Sequence, residues 1–305
     1  MHALPVIVKV YSAANLATFS MRIQPWITIM KRQLGIFICL FTLFQQPSQA
    51  APKSELWAVW LTSADTETLQ PDHSYWQQFL DRRVTGRAGI NLVDYAGASS
   101  EGQDLKKYLH NLQSIPVSKL TRPQQRAFWI NLYNAATVSI IIDHYPVNSI
   151  RDIDISPGLF TDGPWGRKLL SIEDLQLSLD DIEHRILRPI WKDNRLHYAL
   201  NCASIGCPNL LPQAFTTANS EKLLESAAID YINHPRGANI ENGKLRASSI
   251  YKWFQSDFGN SESGVINHLK QYAKTALLIK FNGIEEIDEY DYDWSLNDLK
   301  AVRER

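Results

Sequence analysis

Apolar residues recurring at i, i+3 and i+4 predict helices over 74–83 and 101–114, the second with Leu105, Tyr108, Leu109 and Leu112 on one face. Residues 124–144 differ in kind. Plotted at about 100° per residue, apolar side chains occupy every side, which predicts a central, buried helix ending before Pro146. Asn131 and Asn134 are its polar exceptions and share a face with Ala127, Ala135 and Val138. Buried amides must find partners, either neighbouring backbone or a ligand. A helix from Asp180 or Asp181 to about Arg188 has Leu179, Ile182, Ile186 and Ile190 as its core stripe. Its wheel puts Glu183 inside that stripe and His184 roughly opposite, so Glu183 needs a partner, expected to be Arg195, Arg151 or the Asn131/Asn134 pair.

Farther along, Ser220–His234 reads as a helix, and 238–241 and 244–247 as strands joined by Asn242-Gly243, the favoured type I′ turn. Ser248 caps a helix that stops at Gly259, and another covers about 263–272. A short strand is expected near 167–171, a further one at 277–281, and an aromatic-acidic edge at 290–294. The pattern predicts one α+β domain over 71–305, with a buried central helix and a small, largely antiparallel sheet. Residues 51–70 are mixed and read as a loosely attached arm.

The stretch His197-Tyr198-Ala199-Leu200-Asn201-Cys202-Ala203-Ser204-Ile205-Gly206-Cys207-Pro208 reads as a strand entering a tight turn, with Cys207-Pro208 opening a helix. Thiols at the end of a strand, near a helix N-terminus, are placed as nucleophiles often are. The same pair could equally close a small disulfide loop.

The first fifty residues contain no Asp or Glu. Met30-Lys31-Arg32, the apolar run Leu34–Phe44 and Ser48-Gln49-Ala50 before Ala51 read as a secretory signal over 30–50, with 1–29 a mis-assigned start. The run is too short for a stable membrane anchor. Export means an oxidising compartment, where a pair of cysteines usually pairs. Removing 1–50 leaves 27 basic and 32 acidic residues, a net charge of −5. That balance argues against a nucleic-acid partner, which requires clustered positive charge.

Several segments together resemble one family of bacteria and plants, domain of unknown function 547. They are 127–135 (AFWINLYNA), 179–184 (LDDIEH), 195–202 (RLHYALNC) through Cys207-Pro208, and 292–297 (YDWSLN). The resemblance spans roughly 75–298 and brings no established reaction with it. The bacterial members it resembles are also exported, in keeping with the signal.

Three chemistries are open. In the first, Cys202 or Cys207 attacks the carbonyl of an envelope peptide or ester as a hydrolase or acyltransferase would, His197 serves as base, Glu183 orients the imidazole and Asn131 stabilises an oxyanion. In the second, a Cys202–Cys207 disulfide staples a binding or envelope-maintenance module. Asn134, His184, Asn201 and Trp294 are then the residues expected to face a small-molecule or peptide ligand, Trp294 offering a sugar- or cation-seeking ring. The third, a zinc site from His184 or His197 with both thiols, matches no zinc spacing, and neither metal nor cofactor is expected. His73, His110, His144, His234 and His268 read as surface or core-edge residues.

Overall fold

A computed structural model describes residues 52–158 and 162–300, all within one compact unit, Ala50–Arg305. The expected start at Met30, the signal over 30–50 and the cleavage before Ala51 lie outside the described residues. Among the described residues no helix is long and apolar enough to cross a membrane.

The fold is α+β. Helix α1 (Ser74–Arg83) runs into a hairpin of β1 (Val84–Arg87) and β2 (Ile90–Val93) that periodicity did not announce. Helix α2 (Gly102–Gln113) buries the expected face of Leu105, Tyr108, Leu109 and Leu112. At the centre lies α3 (Arg122–His144), opened by a Thr121/Gln124 capping box, with every side chain from Ala127 to Ile142 buried. Each large apolar group enclosed this way contributes about 2 kcal/mol relative to exposure.

The segment expected as a loose arm is instead a fastened strap. Trp60 is 3% exposed and packs edge-on against Trp129 at 5.1 Å. Ala64 N–H donates to the Leu120 carbonyl, and Arg122 binds the carbonyls of Trp60 and Leu61.

Strands β3 (Leu170–Ile172) and β4 (Leu175–Leu177) form a second hairpin. Asp181–Leu187 then winds as a π-helix, closing hydrogen bonds to the fifth residue back. This wider winding rotates the side chains out of the 100° phase. His184, expected away from the core, is therefore 4% exposed. The strap answers the carbonyls that π winding leaves open, as Glu55 N–H donates to His184 and Trp57 N–H to Arg185.

Helix α4 (Ser220–Ile232) precedes β5 (Ala238–Glu241) and β6 (Lys244–Ser248), which pair through Asn242 and Gly243, both at positive φ as a type I′ turn requires. Helix α5 (Glu262–Tyr272) follows, and β7 (Glu289–Asp291) adds to β6 in parallel. Two expectations fail here. Residues 275–280 form a helical turn rather than a strand, and no helix opens at Cys207-Pro208. The sheet is likewise three small pieces rather than one.

One apolar cluster surrounds α3, and another joins α4, β5, β6 and α5. The chain touches the second cluster at Tyr198 and returns to the first at Ala199, shortly before the cysteines.

Candidate active site

Residues 194–198 form a 3₁₀ turn, not the expected strand, so strand alternation does not govern which way His197 and Cys202 point. The loop that follows is held by amides. Asn134 Oδ1 accepts the Asn201 N–H at 2.8 Å and its Nδ2 donates to the Ala199 carbonyl at 2.8 Å. Asn201 in turn donates Nδ2 to the Pro208 carbonyl and accepts the Ala203 N–H. Asn131 pairs with both backbone groups of Phe215. The amides thus serve neighbouring backbone, and Asn131 is not presented as an oxyanion donor.

Immediately after Cys202, Ala203 sits at φ 57°, fully buried. A left-handed non-glycine residue is strained by about 1 kcal/mol and persists where its surroundings over-determine it. Those surroundings are the C-terminal segment. Asn297 N–H donates to the Ala203 carbonyl, Ile205 N–H to Ser295 and Gly206 N–H to Asp293. Gly206 lies so close to Asp293 that a Cβ would stand 2.7 Å from its nitrogen.

Cys202 and Cys207 are free thiols; the expected disulfide is not formed. Cys202 is partly exposed and Cys207 is 2% exposed. The Tyr292 hydroxyl lies 2.9 Å from Cys202 Sγ and 2.9 Å from Ser204 Oγ, which is itself 3.5 Å from that sulfur. Cys202 N–H donates to Cys207 Sγ at 3.0 Å.

Residues 117–232 match the model of one family, described as Protein of unknown function, DUF547. Over this segment, a little over a third of the chain, the sequence is similar to the DUF547 family. Neither the curated proteins nor the solved structures compared with it gave a match. The DUF547 segment holds both cysteines, the amides, Glu183 and His197, whereas Tyr292, Trp253, Trp294 and Asp257 lie beyond it.

The hydrogen bond from the Cys207 thiol, joined by the Tyr292 and Ser204 hydroxyls, holds the Cys202 thiol below its ordinary value despite burial. Burial, with Cys202 alongside, pushes the Cys207 thiol well up. Burial likewise keeps the Tyr292 hydroxyl protonated far above its usual range. The pair is thus unequal, with one thiol held low and the other pushed up.

Glu183, with its side chain 12% exposed, is largely buried as expected, but its partners are not the expected ones. Tyr133 hydroxyl donates to its Oε2 at 3.2 Å, while His197 Nδ1 and His184 Nδ1 approach Oε1 at 3.8 and 3.9 Å. Arg151 pairs with Asp162 and Arg195 with Asp193 instead.

His197 joins Asp257 at 2.8 Å through Nε2 and stacks on Phe254 at 4.3 Å. Burial opposes the Asp257 charge, but hydrogen bonds from His197 and Arg188 hold its carboxyl well below the carboxylate range. Among the described residues no histidine hydrogen-bonds either sulfur. His184 accepts from Arg188 at 3.0 Å.

Trp294 packs with Tyr292, Trp253 and Trp165 at 4.6, 5.5 and 5.9 Å, and Arg151 lies over its ring. These partly exposed rings form a wall continuous with the Tyr292 side of Cys202. Among the described residues no group of three or more His, Cys, Asp and Glu side chains converges to hold a metal ion. Tyr292, Asp257 and Ala203 were missed from sequence. The 292–297 motif carried the signal for Tyr292, whereas nothing near Asp257 pointed to a histidine sixty residues earlier.

Proposed function

We propose that this protein is a thiol-dependent acyl-transfer enzyme, a hydrolase or transferase, with Cys202 as nucleophile. The carrying observation is the sulfur of the partly exposed residue Cys202 with the Tyr292 hydroxyl at 2.9 Å, set on the strained turn at Ala203. In the step, the Cys202 thiolate attacks a carbonyl carbon and an S–C bond forms. The bond to the leaving oxygen or nitrogen breaks, and Tyr292 gives that atom its proton. Water or another acceptor then opens the thioester, returns a proton to Tyr292 and frees the thiolate.

The proposed substrate is an ester or peptide of the cell envelope, met after export. Support for export is the basic start, the apolar run and the small-residue site over 30–50. The aromatic wall supplies the surface on which an apolar or sugar portion of such a substrate rests.

The test is the pH dependence of iodoacetamide labelling in protein purified without reductant, with peptide mapping and Cys202→Ser as the blank. Expected is a Cys202 thiol titrating below the ordinary thiol value, and a covalent acyl-enzyme on exposure to an activated thioester. Absence of labelling at Cys202, or titration at the ordinary thiol value, overturns the assignment.

A second reading, a ligand-binding envelope module, draws on His197. That imidazole is engaged by Asp257 and Glu183, and among the described residues no histidine hydrogen-bonds the sulfur. Ligand retention on the aromatic wall without any acyl-enzyme would favour it.

A further inference from the structure

Cys207 takes no part in acyl transfer, yet it is the group set most closely upon the nucleophile. Only four residues separate the two cysteines, and the neck of their loop is tied shut. Asn201, just before Cys202, donates its amide to the carbonyl of Pro208, just after Cys207, at 2.9 Å. Inside the neck, Cys207 N–H donates to the Ser204 carbonyl at 3.2 Å and Cys207 Sγ rests on the Cys202 N–H. The Cys207 sulfur therefore lies against the Cys202 backbone inside a closed turn, Cys202 being partly exposed and Cys207 buried. A spare buried thiol opposite a reactive one is the arrangement of a resolving cysteine.

We propose that Cys202 and Cys207 form a reversible oxidation site for hydroperoxides, Cys202 taking the oxygen and Cys207 resolving it as a disulfide. In the first step the Cys202 thiolate attacks the terminal oxygen of the hydroperoxide. The S–O bond forms, the O–O bond breaks, and the alkoxide or hydroxide leaves as alcohol or water with a proton from solvent. The sulfur is oxidised by two electrons to sulfenic acid, and the peroxide is reduced by the same two. In the second, Cys207 sulfur attacks Cys202 sulfur. The S–S bond forms, the S–O bond breaks, and hydroxide leaves with the Cys207 proton as water. A thiol reductant reverses the result by exchange. The order of events is fixed by access, because peroxide meets Cys202 while Cys207 remains protonated and enclosed.

Forming the bond requires the sulfurs to close on each other and removes the Cys202 thiolate that faces Tyr292. Tyr292 retains Ser204 as its partner at 2.9 Å. The oxidised pair holds no thiolate, so acyl transfer stops until the disulfide is reduced. The inference rests on Cys202 being the reactive thiol, as the proposed function does, but not on any acyl transfer.

The full chain is treated with hydrogen peroxide, quenched and read by intact mass and by peptide mapping that keeps Cys39 separate. Wild type is expected to lose two hydrogens and both thiols together, with full recovery in dithiothreitol. Cys207→Ser is expected to stop at a sulfenic acid that dimedone traps, and Cys202→Ser to react at least about tenfold more slowly. Asn201→Ala, which opens the neck, should lengthen the interval in which dimedone traps the wild-type thiols. Iodoacetamide labelling of Cys202 together with peroxide products beyond sulfenic acid, Cys207 still free, overturns this inference and leaves the acyl-transfer reading standing. A reversible disulfide without any acyl-enzyme from activated thioesters does the reverse. Inertness of Cys202 to both reagents sinks both.

Discussion

The Asn134 side chain reads the backbone around Asn201 from both sides, accepting the Asn201 N–H and donating to the Ala199 carbonyl, each at 2.8 Å. All of these groups are buried, so water cannot replace Asn134. Asn134→Ala leaves a donor and an acceptor unmet, and the expected cost is about 2–4 kcal/mol in denaturant unfolding. The same variant should slow Cys202 alkylation, because the amide fixes the residue before the thiol. An unchanged unfolding midpoint would mean that the backbone finds other partners.

Removing the hydroxyl of Tyr292 takes away a donor to the Cys202 thiolate, so the thiol pKa should rise. For Tyr292→Phe the expectation is labelling slower by roughly threefold to tenfold at neutral pH and nearly restored at high pH. Stability should change by less than about 1 kcal/mol, since the ring and its packing remain. A labelling profile identical to wild type would remove Tyr292 from the site.

Ala203 tests the turn itself. Ala203→Gly relieves a left-handed conformation but loses a buried methyl and frees the unfolded chain, and these terms nearly cancel to within about 1 kcal/mol. Ala203→Val puts a β-branched residue at φ 57° in a filled site and should cost on the order of 3 kcal/mol or more. Chemical denaturation of both variants checks the pair. A valine variant as stable as wild type would show that the turn relaxes freely.

Mild acid should weaken the fold through its buried histidines. Burial pushes His268 down to about 4, with His197 adding to the effect, and burial does the same to His73. The unfolded chain binds these protons near pH 6.5 and the folded chain does not, so stability falls as pH drops from about 6.5 toward 4. Each fully buried histidine contributes up to about 3 kcal/mol to that loss. His268, 6% exposed and hydrogen-bonded to Tyr198, is the stronger case. Unfolding free energies at several pH values, compared in wild type and His268→Gln, measure it. A curve that is flat over that range would contradict the assignment.

The central helix was legible because an all-round apolar pattern has one physical outcome, complete burial. The type I′ turn was legible because Asn-Gly readily supplies the two positive φ values it needs. Burial of Glu183 was anticipated, but its partners were not, since the wheel assumed 3.6 residues per turn. The π winding moved His184 inward and turned Glu183 toward Tyr133 and His197. A wider helix leaves no mark in hydrophobic periodicity. Residues 197–201 carried strand formers, yet the hydrogen bonds of Asn134 override that propensity and hold the segment as a turn. The geometry at Cys202 depends on a hydroxyl ninety residues later, and short-range pattern carries no record of such a contact.

The seam between the thiol loop and residues 293–297 also sets an order in time. A chain emerges from synthesis N-terminus first, so Cys202 exists through the next ninety or so residues without Tyr292, without the Ser204–Leu296 bridge and without the carbonyls that hold Ile205 and Gly206. Through that interval the cysteine is an ordinary thiol on an unsupported loop. Its chemistry is completed by nearly the last part of the described chain to arrive, which makes the reactive state a report that the fold has closed. A nick or truncation ahead of Tyr292 should accordingly disarm the thiol while leaving the buried helix and its apolar surroundings in place.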